Sequence, residues 1–399
     1  MALAHLNVVG YRSVRDLHLP LRQVNVITGP NGSGKSNLYQ CLVLVAKAAR
    51  GEFAKAVAEE GGTPSVLWAG DERIRYTRKK PPRRFHLEVE TDLFSFSFAT
   101  GLPSPSSLPV VPPPHHSLFG NDPEVKEEKI WLPSGSRRNA KPVLMMDRRG
   151  PTVWLRNPGG TMDEYAFALA KHESALSQIL EPHRYPELNG VRQTLLTWRF
   201  YHQFRTDAHS PLRYPQIGVH TDVLSQDGSD LAAVLETIIE IGDEETLAQT
   251  VAAAFRGARL RIEEHNTLFS LALDTPGLLR PLSAREFSDG QLRFLCLCAA
   301  LLSPRPPALI ALNEPETSLH PALYGPLAEL IGRASRTSQI WVTTHSRLLA
   351  DQIAGRCQTE PIELTLAEGE TRLASEKGTP RRPYAMDDHT EPEDYVPRG

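Results

Sequence analysis

The feature that most constrains this chain is the segment Gly29-Pro-Asn-Gly-Ser-Gly-Lys-Ser36, which fits the pattern G-x-x-x-x-G-K-[ST]. An apolar run with Val24, Val26 and Ile27 precedes it and predicts a buried strand. After it, apolar residues recur every three or four positions from Ser36 to Ala49, which predicts a helix packed on that strand. A phosphate-binding loop requires this order of strand, glycine-rich turn and helix, and a chance glycine turn would lack these flanks.

The residue types in this phosphate loop (29–36) suit one chemistry. Glycines let the backbone curl so that several N–H groups point at one phosphate, and the start of the helix adds its positive end. Lys35 is predicted to hold β- and γ-phosphate oxygens, and Ser36 to offer its hydroxyl to Mg²⁺. The predicted ligands of the loop are therefore a nucleoside triphosphate and Mg²⁺. The residues predicted to bind the nucleotide here are Gly29, Pro30, Asn31, Gly32, Ser33, Gly34, Lys35, Ser36 and Asn37.

The segment from Gly29 to Asn37, with the preceding turn Gly10-Tyr-Arg-Ser13, resembles one family of such loops. It is similar to the ABC-type ATPase heads of the SMC and RecF group. The resemblance implies an α/β fold in which a P-loop NTPase head of ABC type has a mixed sheet with flanking helices. It also implies an antiparallel β lobe, together with a helical and proline-rich insertion. A second set of motifs is expected far downstream.

The signature segment Phe287-Ser-Asp-Gly-Gln291 precedes an apolar helix and resembles the ABC signature motif, with Asp289 where a glycine is commoner. A helix N-terminus with a serine hydroxyl and a small glycine suits a γ-phosphate. Ser288, Gly290 and Gln291 are therefore predicted to bind nucleotide, and the resemblance implies that they do so across a dimer. The alternative is a helix cap alone, with Ser288 and Gln291 as a capping box.

The run from Ala308 to His320 resembles the Walker B strand and the loop that follows it. An apolar strand at this point delivers Glu314 to the metal edge of the nucleotide, where its carboxylate can orient or deprotonate the attacking water. Asn313 stands where the family usually has a metal-associated aspartate. Its amide oxygen can accept from a magnesium-bound water but adds no negative charge, so weaker metal binding or slow turnover is expected.

The run from Trp341 to Ser346 resembles a strand that ends in the switch histidine of these heads, and the resemblance implies that His345 reaches the γ-phosphate. A single histidine is more often structural, but this one follows a strand and comes after Glu314 in the family's order. The predicted catalytic residues are Glu314 and His345. The glutamine loop that such heads also carry has no clear match, since Gln40 lies too near Lys35.

Seven cations lie between Arg73 and Arg84, with Tyr76 and Phe85 beside them. A hairpin with this charge is able to contact the phosphates of DNA. A solvated hairpin, or one that pairs with an acidic partner, is an equally good interpretation. The predicted nucleic-acid patch consists of Arg73, Arg75, Arg78, Lys79, Lys80, Arg83 and Arg84.

The motif order divides the chain. The predicted domains are the N-terminal half of the head with the phosphate loop (1–100), the insertion and lobe region (101–279), the C-terminal half of the head (280–374) and a polar tail (375–399). Within the insertion, 11 of the 33 prolines fall between Leu102 and Pro158, which predicts loops, edge strands and extended segments. The part from 162 to 255 is predicted to be helical, with patterns at Met162–Leu180 and Leu231–Ile241, and an aromatic and basic cluster at Arg192–Phe204 is interpreted as packing in the lobe.

Composition limits the functional classes. The formal net charge of −3 excludes a global basic field, so any nucleic-acid site must be a local patch. The four cysteines have no neighbouring ligand cluster and are expected to be reduced thiols. No apolar run approaches the roughly 18 residues of a membrane span, and the start of the chain lacks the pattern of a secretory signal. A cytoplasmic location without a membrane partner is expected.

The resemblance implies an ATPase that forms an ATP-dependent homodimer and acts in DNA maintenance, repair or anti-phage defence, with a partner nuclease or other effector. The chain lacks a long heptad segment, so a compact RecF-like protein is favoured over one with a coiled-coil arm. Asn313 and the near-neutral charge favour a different class, an ATP-sensing regulatory subunit with weak or no turnover that controls a separate nuclease or toxin. A transporter subunit is disfavoured, because such subunits are shorter between the two motifs than the span from Lys35 to Phe287.

Overall fold

The computed structural model of the chain describes residues 2–70, 84–104, 118–133 and 141–375. In these ranges the strands are β1 Leu3–Tyr11, β2 Val14–Pro20, β3 Val24–Thr28, β4 Arg84–Thr91, β5 Ser95–Gly101, β6 Glu124–Leu132, β7 Val143–Arg149, β8 Thr152–Arg156, β9 Met162–Glu164, β10 Arg199–Tyr201, β11 Gln216–Ile217, β12 Arg259–His265, β13 Leu268–Asp274, β14 Leu282–Ser283, β15 Leu309–Asn313, β16 Gln339–Thr343, β17 Ile362–Ala367 and β18 Glu370–Leu373. The helices are α1 Lys35–Arg50, α2 Phe53–Glu59, α3 Thr63–Val66, α4 Ala175–Gln178, α5 Pro186–Thr197, α6 Leu231–Ile241, α7 Glu244–Ala254, α8 Asp289–Leu301, α9 Tyr324–Ala334 and α10 Arg347–Cys357.

A largely parallel sheet forms the centre of the head. Its strand order is β10-β15-β16-β3-β17-β18; the first five strands are parallel, and β18 pairs antiparallel with β17 at the edge. Every residue of β15 and β16 is buried, as expected for inner strands that are covered on both faces. Because the parallel strands end at the same edge, the loops that follow β10, β15, β16 and β3 lie together.

Alternate residues of this parallel sheet face two different cores. Leu309 and Trp341 pack in a core that includes α1 and the strands of the antiparallel sheet described next. Ile310 and Val342 pack in a second core with residues of α6, α8, α9 and α10. The parallel sheet is therefore the middle layer, and its carboxyl edge is supported from both sides.

Within the described ranges the antiparallel lobe has the order β2-β1-β4-β5-β6-β7-β8-β9. The α/β fold with an antiparallel lobe is confirmed, but this sheet runs across the predicted boundary at residue 100. The expectation of loops and edge strands in the proline-rich stretch is wrong for β6, β7 and β8, which are inner strands. Pro123, Pro133 and Pro142 lie just outside these strands, so the strand N–H groups remain available for pairing.

The helix predicted at Met162–Leu180 is wrong, and only the short α4 forms there after strand β9. The guanidinium of Arg148, fully buried, donates to the carbonyl oxygens of Ala170 at 2.8 Å and Glu173 at 2.6 Å. These tertiary bonds hold the segment against the sheet in a non-helical path and override its local periodicity. The helix predicted at Leu231–Ile241 is confirmed as α6.

The cluster at Arg192–Phe204 lies in the head, which corrects its interpretation as lobe packing. Strand β10 pairs parallel with β15, and Phe200 lies opposite Ala311. A strand of three residues is too short to be recognised from hydrophobic periodicity. Its position in the head can be seen only from its pairing with β15. Across the ranges that the structure describes, no helix has both the length and the apolar character needed to cross a bilayer.

Candidate nucleotide-binding site

The phosphate loop joins β3 to α1 as predicted. Gly29, Gly32 and Gly34 have φ values of 148°, 79° and 98°, a region that only glycine enters at little cost. A Cβ on Gly34 would lie 2.1 Å from the Thr371 hydroxyl oxygen, and one on Gly29 would lie 2.4 Å from the Leu364 carbonyl oxygen. The β17–β18 hairpin therefore packs so closely on the loop that these positions have no room for a side chain.

Lys35 opens α1, and its side chain folds back into the curl of the loop. Its ammonium donates to the carbonyl oxygens of Gly29 at 2.7 Å and Pro30 at 3.0 Å. Burial lowers the pKa of Lys35, while the carboxylates of Glu314 and Glu316 act to raise it. The cation thus lies where phosphate oxygens would replace the two carbonyls.

The other loop residues also fit a phosphate chain. The Ser33 hydroxyl is buried, and no group in the described residues bonds it, so a ligand oxygen would relieve the cost of leaving it unpaired. Ser36 is exposed on the first turn of α1, and Asn31 is exposed at the loop tip. The Asn37 amide donates to the Ser13 hydroxyl at 2.7 Å, which fixes α1 to the predicted Gly10–Ser13 turn.

The second part of the site is the loop from Glu314 to His320, here named the β15 loop. Glu314 and Ser318 have φ values of 48° and 62°, which residues other than glycine rarely adopt. The Glu314 N–H donates to the Thr343 carbonyl oxygen at 2.8 Å, which ties the start of the β15 loop to the end of β16. A Glu314 carboxylate oxygen then lies 3.9 Å from His345 Nδ1, so the structure brings the two predicted catalytic residues together.

Asn313 ends β15 and is buried. Its Nδ2 lies 2.5 Å from His202 Nδ1, and its Oδ1 accepts a hydrogen bond from the Thr343 hydroxyl. Across the ranges described, no group of three or more His, Cys, Asp or Glu could hold a metal ion by itself. Mg²⁺ at this edge would therefore depend on phosphate oxygens, the Ser36 hydroxyl and waters bonded to Asn313, all of them the oxygen ligands that this ion prefers.

Two residues at this edge were not predicted from the sequence. His202 and Gln203 follow β10 and line one cavity with Ser36, Gln40 and Asn313. Gln203 therefore lies in the same cavity as Ser36 at the end of the phosphate loop, and so does Gln226, also from the middle of the chain. The sequence feature that points to His202 and Gln203 is the aromatic strand Arg199–Tyr201 just before them. It indicates a place at the site only when its pairing with β15 is known.

The signature segment caps α8. The Ser288 hydroxyl accepts from the Gln291 N–H at 3.2 Å, and the Gln291 side-chain oxygen accepts from the Ser288 N–H at 2.8 Å, so the capping box is present. A Cβ on Gly290 would lie 2.7 Å from the Ser318 carbonyl oxygen. Asp289 accepts from the Arg213 guanidinium at 2.7 Å. The start of α8 therefore packs on the β15 loop.

Most of the predicted basic patch lies in a part of the chain that the structure does not describe. Arg73, Arg75, Arg78, Lys79, Lys80 and Arg83 lie outside the described residues. Arg84 begins β4, is exposed, and has its guanidinium 3.4 Å from a Glu127 carboxylate oxygen. The patch therefore remains a prediction from the sequence.

Comparison with known proteins identifies the family and the fold. A family model described as "AAA domain, putative AbiEii toxin, Type IV TA system" matches residues 24–141 and 166–351, well over half of the chain. No curated protein sequence gives a significant match. Among solved structures, an SMC head bound to the C-winged helix domain of ScpA is similar over 94% of this chain and 97% of that chain, with 13% sequence identity and a TM-score of 0.52.

Two further SMC heads give lower scores. The SMC head domain from Thermotoga maritima is 15% identical over 94% of this chain and 98% of its own, with a TM-score of 0.44. The Smc head with an extended coiled coil from Pyrococcus furiosus, bound to the C-terminal domain of ScpA, is 14% identical over 93% and 95%, with a TM-score of 0.47. The fold is that of an ABC-type head of the SMC kind, and the chain belongs to the AAA-domain family described as putative AbiEii toxin of type IV toxin–antitoxin systems.

Proposed function

We propose that this chain binds ATP with Mg²⁺ and hydrolyses it to ADP and phosphate. The observation that carries the proposal is the meeting of a cation, a carboxylate and an imidazole at one edge of the parallel sheet. Lys35 lies in the phosphate loop within the electrostatic influence of Glu314. Glu314 in turn lies 3.9 Å from His345 Nδ1.

The proposed chemistry assigns a task to each of these groups. The Glu314 carboxylate takes a proton from the attacking water, whose oxygen bonds to the γ-phosphorus as the bond to ADP breaks. Lys35 and the first N–H groups of α1 balance the charge on the phosphate oxygens, and His345 contacts the γ-phosphate. When bound, Mg²⁺ supplies further charge neutralisation, and the residues that would hold it are Ser36 directly and Asn313 through water.

We further propose that ATP joins two copies of the chain. In this arrangement Ser288, Gly290 and Gln291 of one copy complete the site of the other. Ser288 is exposed at the start of α8, and Gly290 packs on Ser318, which is itself exposed in the β15 loop. The signature segment and the β15 loop therefore form one continuous exposed surface, which supports the proposal.

Light scattering on a Glu314→Gln variant tests this mechanism, because a variant that binds ATP but hydrolyses it slowly should accumulate the dimer. We expect a mass of twice 44.3 kDa with ATP and the monomer mass without it. Lys35→Ala is the matched control, since it should stay monomeric under both conditions. If Glu314→Gln binds ATP and remains a monomer, the shared-site mechanism is wrong.

A second candidate is an ATP-sensing regulatory subunit with weak or no turnover. The observation that favours it is Asn313, whose amide lacks the negative charge of an aspartate and is committed at both ends to His202 and Thr343. Phosphate release measured with and without DNA separates the two candidates. Robust release that DNA stimulates would exclude the sensor, whereas ATP binding without release would support it.

We propose that the cellular role is DNA maintenance, repair or anti-phage defence together with a partner effector such as a nuclease. The family description, which names putative toxins of a toxin–antitoxin system, gives most support to defence. The basic patch is the proposed contact with DNA. Replacing Arg78, Lys79 and Lys80 with glutamate should weaken duplex binding at low salt, and unchanged binding would remove the patch from the proposal.

A further inference from the structure

Glu316 is a buried carboxylate two residues after Glu314, and no sequence pattern singled it out. Its side chain is 3% exposed, against 39% for Glu314. One carboxylate oxygen, Oε1, accepts hydrogen bonds from the Thr344 hydroxyl, from the His345 N–H at 3.0 Å and from the Ser346 N–H at 3.2 Å. The same oxygen lies 3.2 Å from His345 Nδ1. All of these contacts go to residues 344–346, here named the switch loop.

The second carboxylate oxygen of Glu316, Oε2, makes no hydrogen bond to the switch loop. Oε2 is buried and has no hydrogen-bond partner among the described residues. Arg293 on α8 is also buried; burial lowers its pKa, while Cys296, Glu316 and Glu314 raise it. Keeping a charged carboxylate in such a place is costly, and a neutral amide would offer an oxygen to the same three donors. The carboxylate adds a negative charge beside the His345 imidazole.

We propose that Glu316 is a positioning residue that fixes the switch loop and holds the His345 imidazole toward the phosphate loop. This proposal rests on the ATPase function proposed above. The two carboxylates of the β15 loop then have separate tasks. Glu314, half exposed, is available to the attacking water, and Glu316, buried, acts through His345.

The first test is amide hydrogen exchange in the nucleotide-free protein, using Glu316→Gln. Hydrogen bonds to a charged oxygen are about twice as strong as those to a neutral one, so we expect exchange in the peptide covering residues 343–349 to become about tenfold faster. Glu329→Gln, which alters an exposed carboxylate on α9, is the control and should leave that peptide unchanged. Unaltered exchange of the switch loop in Glu316→Gln would overturn the proposal.

A second variant keeps this test informative if Glu316→Gln unfolds, which would appear as faster exchange in every peptide. Thr344→Val removes one donor to Glu316 and keeps the carboxylate. We expect about threefold faster exchange that is confined to the switch loop. Exchange equal to that of the unaltered protein would contradict the proposal.

The second test is a double-variant comparison of ATP turnover. We expect Glu316→Gln to lower turnover about tenfold, while the combination with His345→Ala turns over within about twofold of His345→Ala alone. If the two losses multiply, Glu316 acts independently of His345 and the proposal is wrong. If the unaltered protein shows no turnover, the ATPase assignment fails, and the exchange result alone decides the role of Glu316.

Discussion

Two loops meet at the carboxyl edge of the parallel sheet, and they obtain an unusual backbone in different ways. The phosphate loop uses Gly29, Gly32 and Gly34 at its positive φ angles. The β15 loop places Glu314 and Ser318, which carry side chains, at positive φ. Glycine adopts this conformation almost freely, whereas other residues need support from their surroundings. The shape of the first loop is therefore readable from residue types, and that of the second depends on contacts made elsewhere in the fold.

The largest effect is expected from Gly34→Ala in the phosphate loop. The new Cβ would lie 2.1 Å from the Thr371 hydroxyl oxygen at a φ of 98°, so the loop and the β17–β18 hairpin would have to separate. We expect ATP affinity to fall at least about 100-fold, since misplacing phosphate-binding groups by about 1 Å has effects of that order. Titration with a fluorescent ATP analogue measures it.

Gly32→Ala is the matched control for this prediction. Gly32 also has a positive φ, of 79°, but an added Cβ would meet no atom within 4 Å. In Gly32→Ala the only expected cost is that of holding alanine at a positive φ, about 1–2 kcal/mol. Equal losses in the two variants would show that packing of the hairpin does not shape the phosphate loop.

The next effect tests the β15 loop with Glu314→Gly. Glycine removes the general base, so turnover should fall about 100-fold or more. It also relieves the positive φ of 48°, so the free energy of unfolding should rise by about 1 kcal/mol. Urea denaturation and phosphate release measure the two quantities. Glu314→Gln should lose the same activity without becoming more stable. If Glu314→Gly is instead less stable than Glu314→Gln, the backbone of the β15 loop is not strained at this position.

This difference between the loops also explains what could be predicted from the sequence. Strands β3, β15 and β16 were predicted because each is a run of apolar residues, and the helix after the phosphate loop was predicted from its periodicity. Lys35 belongs to the loop motif after β3, and the resemblance to ABC-type heads implied Glu314 after β15 and His345 after β16. Strand β10 was placed in the wrong region, because three residues carry no period and their position is set by pairing with β15.

Residues defined by a distant partner could not be predicted. Gln203 reaches the site because β10 lies beside β15, and Glu316 is recognisable only from its bonds to the switch loop across the strand edge. The helix predicted at Met162–Leu180 was wrong for the same reason, because the bonds of Arg148, on another strand, hold this segment in a non-helical conformation. Local patterns predict the elements, and long-range polar contacts decide how the site is completed.

A smaller effect is expected from Asn313→Asp, which restores a negative charge at the edge between the two loops. The added carboxylate should attract Mg²⁺, so we expect the Mg²⁺ concentration that gives half-maximal turnover to fall about tenfold, which corresponds to about 1.4 kcal/mol. Phosphate release across a Mg²⁺ series measures it. Asn313→Ala is the control and should shift the requirement in the opposite direction. An unchanged Mg²⁺ requirement in both variants would show that residue 313 does not assist the metal and would favour the sensor.

The smallest effect concerns the bonds by which Arg213 holds the signature segment, which packs on the β15 loop through Gly290. The Arg213 guanidinium, 12% exposed, donates to the Phe287 carbonyl oxygen at 2.6 Å and to Asp289 at 2.7 Å. Asp289→Asn removes only the charge, so the free energy of unfolding should fall by less than about 1 kcal/mol. Arg213→Gln also removes the guanidinium bonds to the carbonyl oxygens of Phe287, Arg285, Thr206 and Asp207, and should cost about 1–3 kcal/mol, because acceptors are left unpaired. Urea denaturation of both variants measures the difference. Equal losses would mean that the ion pair with Asp289, and not the bonds of Arg213 to carbonyl oxygens, holds the start of α8 in place.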